Sequence, residues 1–167
     1  ALVGLVAAIA AFAPASWLAQ ALYRLSDQRV LLAQAQGTVW DGDAVLVLTA
    51  GAGSANARAL PGRLRWSLRP AWDGGPALRL ALRQYCCMAG VWPLNVAVGW
   101  RSWRLTLPTP ASEPAWRAQW PGDLLSGLGT PWNTLAPQGQ LRIDSGGLDL
   151  RQVDGRWLVE GGLDIEM

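Results

Sequence analysis

Hydrophobic positions change their period once along the chain, and the change divides it. From Ala1 to Tyr23 the sequence ALVGLVAAIAAFAPASWLAQALY carries no carboxylate and no basic side chain, and Arg24 closes the run. Roughly 20 apolar residues at 1.5 Å each match a hydrocarbon core of about 30 Å. The pattern therefore predicts a transmembrane anchor over residues 1–23. Trp17 and Tyr23 sit at the headgroup level, and Arg24 and Arg29 lie just beyond. Pro14 removes a backbone donor in mid-helix and is expected to kink the anchor. One competing reading is a cleaved secretory signal, since Ala11-Phe12-Ala13 has the small-x-small form of a cleavage site. Pro14, directly after it, would hinder a peptidase that needs an extended substrate. A buried core helix is the third reading. Orientation rests on a short basic leader ahead of Ala1, which would hold the N-terminus in the cytoplasm and export the rest.

Beyond Arg24 the period is two. Leu64, Trp66 and Leu68 alternate with Arg63, Arg65, Ser67 and Arg69, and Leu78, Leu80 and Leu82 alternate with Ala77, Arg79, Ala81 and Arg83. Weaker alternation marks Val45-Val47, Leu94 to Trp100, Trp103 to Leu107, Leu141-Ile143, Leu148-Leu150, Trp157-Val159 and Leu163-Ile165. Turn residues separate the runs at Asp41-Gly42, Gly51 to Gly53, Asp73 to Gly75, Ser145 to Gly147, Asp154-Gly155 and Gly161-Gly162. The fold class expected is mainly β: an N-terminal transmembrane helix, then an antiparallel meander of eight to ten strands with one or two short helices. Residues 24–107 form a first sheet segment and 139–167 carry further strands. Between them, residues 108–138 read as a Pro-rich connection, because Pro108, Pro110 and Pro114 exclude a central strand. A short helix from Pro114 through Gln119, capped by Ser112 or Glu113, and a second turn at LLSG capped by Asp123 are expected there. Glycine precedes a short strand at Gly37, Gly62, Gly139 and Gly155, either as a repeated β-unit or as four ordinary turn-to-strand entries.

Composition narrows the chemistry. The 167 residues are 51% hydrophobic and 16% charged, which excludes a solvated disordered chain. Net charge is only +2, which argues against nucleic acid as a partner. The absence of histidine removes the usual general base, and the absence of lysine removes a Walker-A loop, a Schiff base and a Ser-Lys dyad. The acidic residues form no recognisable acid/base pair, so no enzyme is expected, with neither cofactor nor metal. Asp41 and Asp43 in WDGDA resemble a calcium pair, but a shell needs six to eight oxygens and no EF-hand loop follows, which leaves a solvated β-turn. Cys86 and Cys87 are adjacent. In a strand they point to opposite faces, about 3.8 Å apart at Cα, below the usual disulfide span, which leaves two buried thiols or one intermolecular bridge rather than a mutual bridge, and burial is the reading preferred. Eleven tryptophans read either as a Trp-rich core or as an aromatic-lined surface.

Several segments carry a resemblance: PASWLAQAL, AQGTVWDGDAVLVL, LPGRLRWSLRP and GLGTPWNTLAPQGQLRI. From Pro14 to Met167 the chain resembles protein N of the bacterial type II secretion system. The most specific pieces are Gly37-Thr38-Val39-Trp40 with Gly42, Leu64 to Trp66, and Thr130 to Leu135 with Gly139. The resemblance implies a single-pass inner-membrane protein whose β-domain lies in the periplasm, an accessory part of the machine that exports folded proteins across the outer membrane. Implied partners are other inner-membrane subunits and the outer-membrane secretin, besides membrane lipid along residues 1–23. It brings no active residues, and it implies further β-structure beyond Met167. Candidate interaction residues are Arg79 and Arg83, expected on an exposed strand edge, and Trp132 and Asn133 in the TPWNTL segment. The G-x-x-W units behind an anchor also resemble AsmA-like proteins, which implies an alternative: a periplasmic carrier of lipid or another hydrophobic ligand in an apolar β-groove. An open apolar face would favour the carrier, and a packed core with exposed strand edges the scaffold.

Overall fold

A computed structural model describes residues 2–54, 56–72, 75–100, 102–110, 116–135, 137–153 and 155–166. Antiparallel β-structure dominates it, with a few short helices, and the chain divides into two compact units. The first comprises residues 1–66 and 121–139, the second 67–120 and 140–167.

In the first unit the apolar N-terminal run is two helices rather than one. Helix α1 spans Leu2–Ala11 and α2 spans Ala15–Leu25. Among the described residues no helix is long and apolar enough to cross a membrane. The cause of the break is Pro14, which sits in extended conformation (φ −68°, ψ 148°) and has no N–H for the carbonyl of Ala10. That carbonyl instead accepts the indole N–H of Trp40 at 2.7 Å, and the Ala13 carbonyl accepts the Val39 amide at 2.9 Å. The expected kink is thus a full interruption, held by the Thr38 to Trp40 segment. Helix α2 buries Ala15 and Ala19, one turn apart, and packs on β1 (Val30–Gly37).

Strand β1 pairs with β2 (Asp41–Thr49), which also pairs with the short β3 (Ala57–Ala59). Strand β4 (Leu64–Trp72) follows β2 in the sheet order and is shared between the units. A 3-10 helix (Gly122–Leu128) packs on β2 and β3 and buries Leu124, and α3 (Trp132–Leu135) follows a cis Thr130-Pro131 bond. Asp123 is not the expected cap: Pro121 takes that place with no side-chain bond, while Ser126 bonds back to the Asp123 carbonyl.

The second unit is a meander. Strands β5 (Pro76–Gln84), β6 (Trp92–Val98) and β7 (Ser102–Leu107) are consecutive, and β7 pairs with β9 (Gln140–Val153), which pairs with β10 (Arg156–Glu166). Strand β8 (Trp116–Pro121) pairs with β9 and occupies the place of the expected helix through Gln119, whose proposed start at Ser112 to Pro114 lies outside the described residues. The glycine pairs expected to be turns lie inside β9 and β10. Gly162 pairs with Gly147 and Leu163 with Ser145, so Gly146 is an extra residue and β9 bulges there. Gly161 has φ +115°, and a Cβ on it would lie 2.3 Å from the Gly147 carbonyl oxygen. Glycine here permits close approach of two strands, not chain reversal.

Adjacent cysteines follow β5. Cys86 and Cys87 are bonded to each other, with Cα atoms 3.7 Å apart, which corrects the expectation of two buried thiols. They occupy a turn rather than a strand, so their side chains are not sent to opposite faces, and Cys86 is exposed. A ring closed between neighbours restricts little of the unfolded chain. The double substitution Cys86→Ser/Cys87→Ser is therefore expected to change stability by no more than about 1 kcal/mol. Urea unfolding followed by circular dichroism checks this, with intact mass confirming the loss of the bond.

Candidate functional site

Two of the resemblance-bearing motifs of the first unit, Gly37 to Trp40 with Gly42 and Leu64 to Trp66, meet in one cluster. Trp66 is 3% exposed and donates its indole N–H to the Val39 carbonyl at 3.1 Å. Its ring lies against Gly42, where a Cβ would sit 2.6 Å from Trp66 Cζ2 and 2.6 Å from the Gln36 carbonyl oxygen. Gly42 and Asp41 belong to β2, so the expected turn at that pair falls earlier, where the Thr38 amide bonds the Asp41 carbonyl. Asp43 is no solvated turn residue either. It pairs with Arg63, which also reaches the Gln34 carbonyl at 2.8 Å beside the irregularity in β1.

The second unit presents two faces of opposite character. Register and alternation place Leu78, Val96, Leu105, Leu150 and Val159 in one continuous row across β5, β6, β7, β9 and β10. A parallel row holds Val98, Trp103, Gln152 and Trp157, and Leu80 with Leu94 and Leu82 with Trp92 extend the same face. Trp103 donates to the Gln152 side-chain oxygen, and the Trp103 and Trp157 rings meet edge-on at 4.9 Å. The described part of this unit consists of strands and their connections, and no helix of its own covers that face. Val159 remains 62% exposed, Trp157 and Val98 are more than half exposed, and the leucines are half-buried. The indole N–H of Trp92, opposite Leu82 on the same side, is buried with no acceptor among the described residues.

Across the sheet the other face is charged. Arg79, Asn95, Thr106, Asp149 and Glu160 form its central row. Asp149 lies 2.9 Å from Arg151 and 3.8 Å from Arg104, and Arg151 reaches Glu160 at 3.6 Å. The hydrogen bond and charge of Asp149 raise the Arg151 guanidinium above its usual range. These are solvent-facing pairs, which set the wet side of the sheet more than its stability.

The candidate interaction residues fall in different units. Arg79 and Arg83 are exposed as expected, but β5 lies between β4 and β6, so neither is on a strand edge. The Arg83 guanidinium sits 5.6 Å from the Tyr85 ring centre. Asn133 lines a polar hollow of about 500 Å³ with Arg58, Asp123, Ser126 and Gln138, while Trp132 is half-buried beside it. Among the described residues no group of three His, Cys, Asp or Glu side chains is placed to hold a metal ion. Tryptophan also divides otherwise than as a core. Trp66 is buried, Trp17, Trp72, Trp100 and Trp157 are exposed and the others are half-buried, so neither a Trp-rich core nor an aromatic surface describes them all. Two buried polar residues escaped the sequence pattern: Gln84, fully buried, accepts the Trp120 indole N–H at 2.8 Å, and Ser145 bonds the Gly162 carbonyl at the bulge. Only the register of strands distant in sequence reveals either. Comparison with protein-family models, with curated proteins and with solved structures yields no significant match.

Proposed function

We propose that the chain is a non-catalytic accessory component of the type II secretion machinery, held at the inner membrane with its β-structure in the periplasm. It works by docking protein partners on the apolar face of its second unit. The observation that carries this reading is the row Leu78, Val96, Leu105, Leu150 and Val159, continuous over five strands in a unit with no helix among its described residues. An apolar patch of that kind, bounded by a charged opposite face, marks an interaction surface. The sequence resemblance names the machine. Helix α1, with no polar side chain in LVGLVAAIAA, is the part that meets lipid; ten residues reach about 15 Å, half the hydrocarbon thickness. Partners are the inner-membrane subunits and the outer-membrane secretin.

A photoreactive residue at Leu105, in membranes of the native host, is expected to capture those components, with the same residue at Arg79 capturing far less. Capture of neither class from the apolar face would end the proposal. A second reading is favoured by the openness of that face, where Val159, Trp157 and Val98 are more than half exposed: a lipid or other amphiphile lying on its apolar side chains. Lipid found in defined stoichiometry by native mass spectrometry of the purified chain would move the assignment to this carrier role.

A further inference from the structure

The turn after β5 carries a bond that the fold hardly needs. Cys86 is exposed and Cys87 half-buried, and the disulfide between them closes a ring of neighbouring residues, which takes little entropy from the unfolded chain. The turn has other ties. The Cys87 and Met88 amides bond the Gln84 carbonyl at 3.4 and 3.2 Å, and Gln84 is itself fully buried. The Gln119 amide bonds the Cys87 carbonyl at 2.7 Å and the Ala89 amide bonds the Arg117 carbonyl at 2.8 Å, so backbone groups fasten residues 87–89 along β8. These bonds hold the turn whether or not the sulfurs are joined.

We infer that Cys86 and Cys87 are a thiol–disulfide exchange site, at which the chain's disulfide oxidises thiols and is itself reduced to a neighbouring pair. The attacking species in such an exchange is a thiolate, and access decides which sulfur it reaches. Here the exposed partner is Cys86. A hollow of about 240 Å³ lies beside the bond, lined by Cys86, Cys87, Met88, Ala89, Arg117 and Gln119. Arg117, paired with Asp144 at 2.6 Å, gives the hollow a cation, and a cation beside a sulfur favours its thiolate form. It favours both the thiolate that enters and the one that leaves.

The exchange runs in two steps. A thiolate attacks Cys86 Sγ, a new S–S bond joins it to Cys86, and the Cys86–Cys87 bond breaks with its electron pair on Cys87, which takes a proton. A second thiolate then attacks the first compound's sulfur in that mixed disulfide, and Cys86 leaves with the electron pair and is protonated in turn. Two thiols become one disulfide, and their two protons end on Cys86 and Cys87. Because the backbone keeps both cysteines in their turn, the reverse reaction re-forms the bond from groups already side by side. The inference concerns this turn and does not depend on what docks on the apolar face.

The test exposes the full oxidised chain, in detergent, to reduced glutathione at about 5 mM, with thiols blocked by N-ethylmaleimide at intervals and read by intact mass and peptide mapping. The folded chain is expected to be reduced at a rate within about tenfold of the same chain unfolded in urea, whereas a protected structural disulfide is reduced far more slowly. Early samples should carry glutathione on Cys86. Far-ultraviolet circular dichroism should stay as it was once both thiols have appeared, and oxidised glutathione should then restore the disulfide. Reduction of the folded chain slower than that limit overturns the inference. So does glutathione found on Cys87, a sheet spectrum lost with the bond, or a pair of thiols that oxidised glutathione leaves open.

Discussion

Replacing Trp66 with alanine is expected to destabilise the first unit by about 4 kcal/mol, in the range for emptying a buried aromatic site. Three contributions add there. The indole is nearly sealed from solvent, so its apolar area returns to water. Its removal opens a cavity over Gly42, whose backbone is locked in β2 and cannot follow. The Val39 carbonyl also loses its donor. Trp66→Phe keeps a six-membered ring but loses the N–H and part of the ring volume, and is expected to cost about half as much. Urea unfolding followed by far-ultraviolet circular dichroism measures both. A local consequence accompanies the global one. Val39 donates to the Ala13 carbonyl between the two N-terminal helices, so hydrogen exchange at the Val39 amide should quicken in Trp66→Ala before the unit unfolds. An unchanged exchange rate would mean that the helix break is held by the Trp40 indole alone.

The second large effect is on binding. Leu150 stands in the middle of the apolar row, between Leu105 on β7 and Val159 on β10. Leu150→Asp is expected to lower capture of secretion partners from the Leu105 position about 100-fold, since a carboxylate pressed against an apolar partner loses water and gains nothing. The fold should survive, because the face is half open and the new charge keeps some solvent. Arg79→Ala on the opposite face is the control, with capture expected within about twofold of the original, as befits a solvated surface charge. Equal loss in both would point to a damaged sheet. No loss in Leu150→Asp would remove the apolar face from the docking role, whichever partner is involved.

Local pattern predicted the strands whose two faces differ. Leu64 to Leu68, Leu78 to Leu82 and Trp103 to Leu107 alternate apolar with polar residues, and each is a strand with that alternation facing as expected. Strand β1, VLLAQAQG, escaped because its alternation is broken by the irregularity between Ala33 and Gln36. The glycine pairs misled for a related reason: a glycine needed for chain reversal and one needed for the close approach of two strands look alike until both strands are in place. Cys86 and Cys87 misled because a strand was assumed where a turn exists.

The sequence by itself determined that this chain is chiefly antiparallel β-structure with one dry and one wet side, since a period of two in side-chain character can be satisfied in no other way. It also determined that the common histidine and lysine chemistries are excluded, because those side chains are lacking. What only the tertiary structure decided is where Trp40 and Trp66 send their indole donors and which strands place their leucines in one row. The two indole bonds and the Leu105–Leu150 pairing join residues far apart in sequence in a particular register, and local propensity holds no information about register.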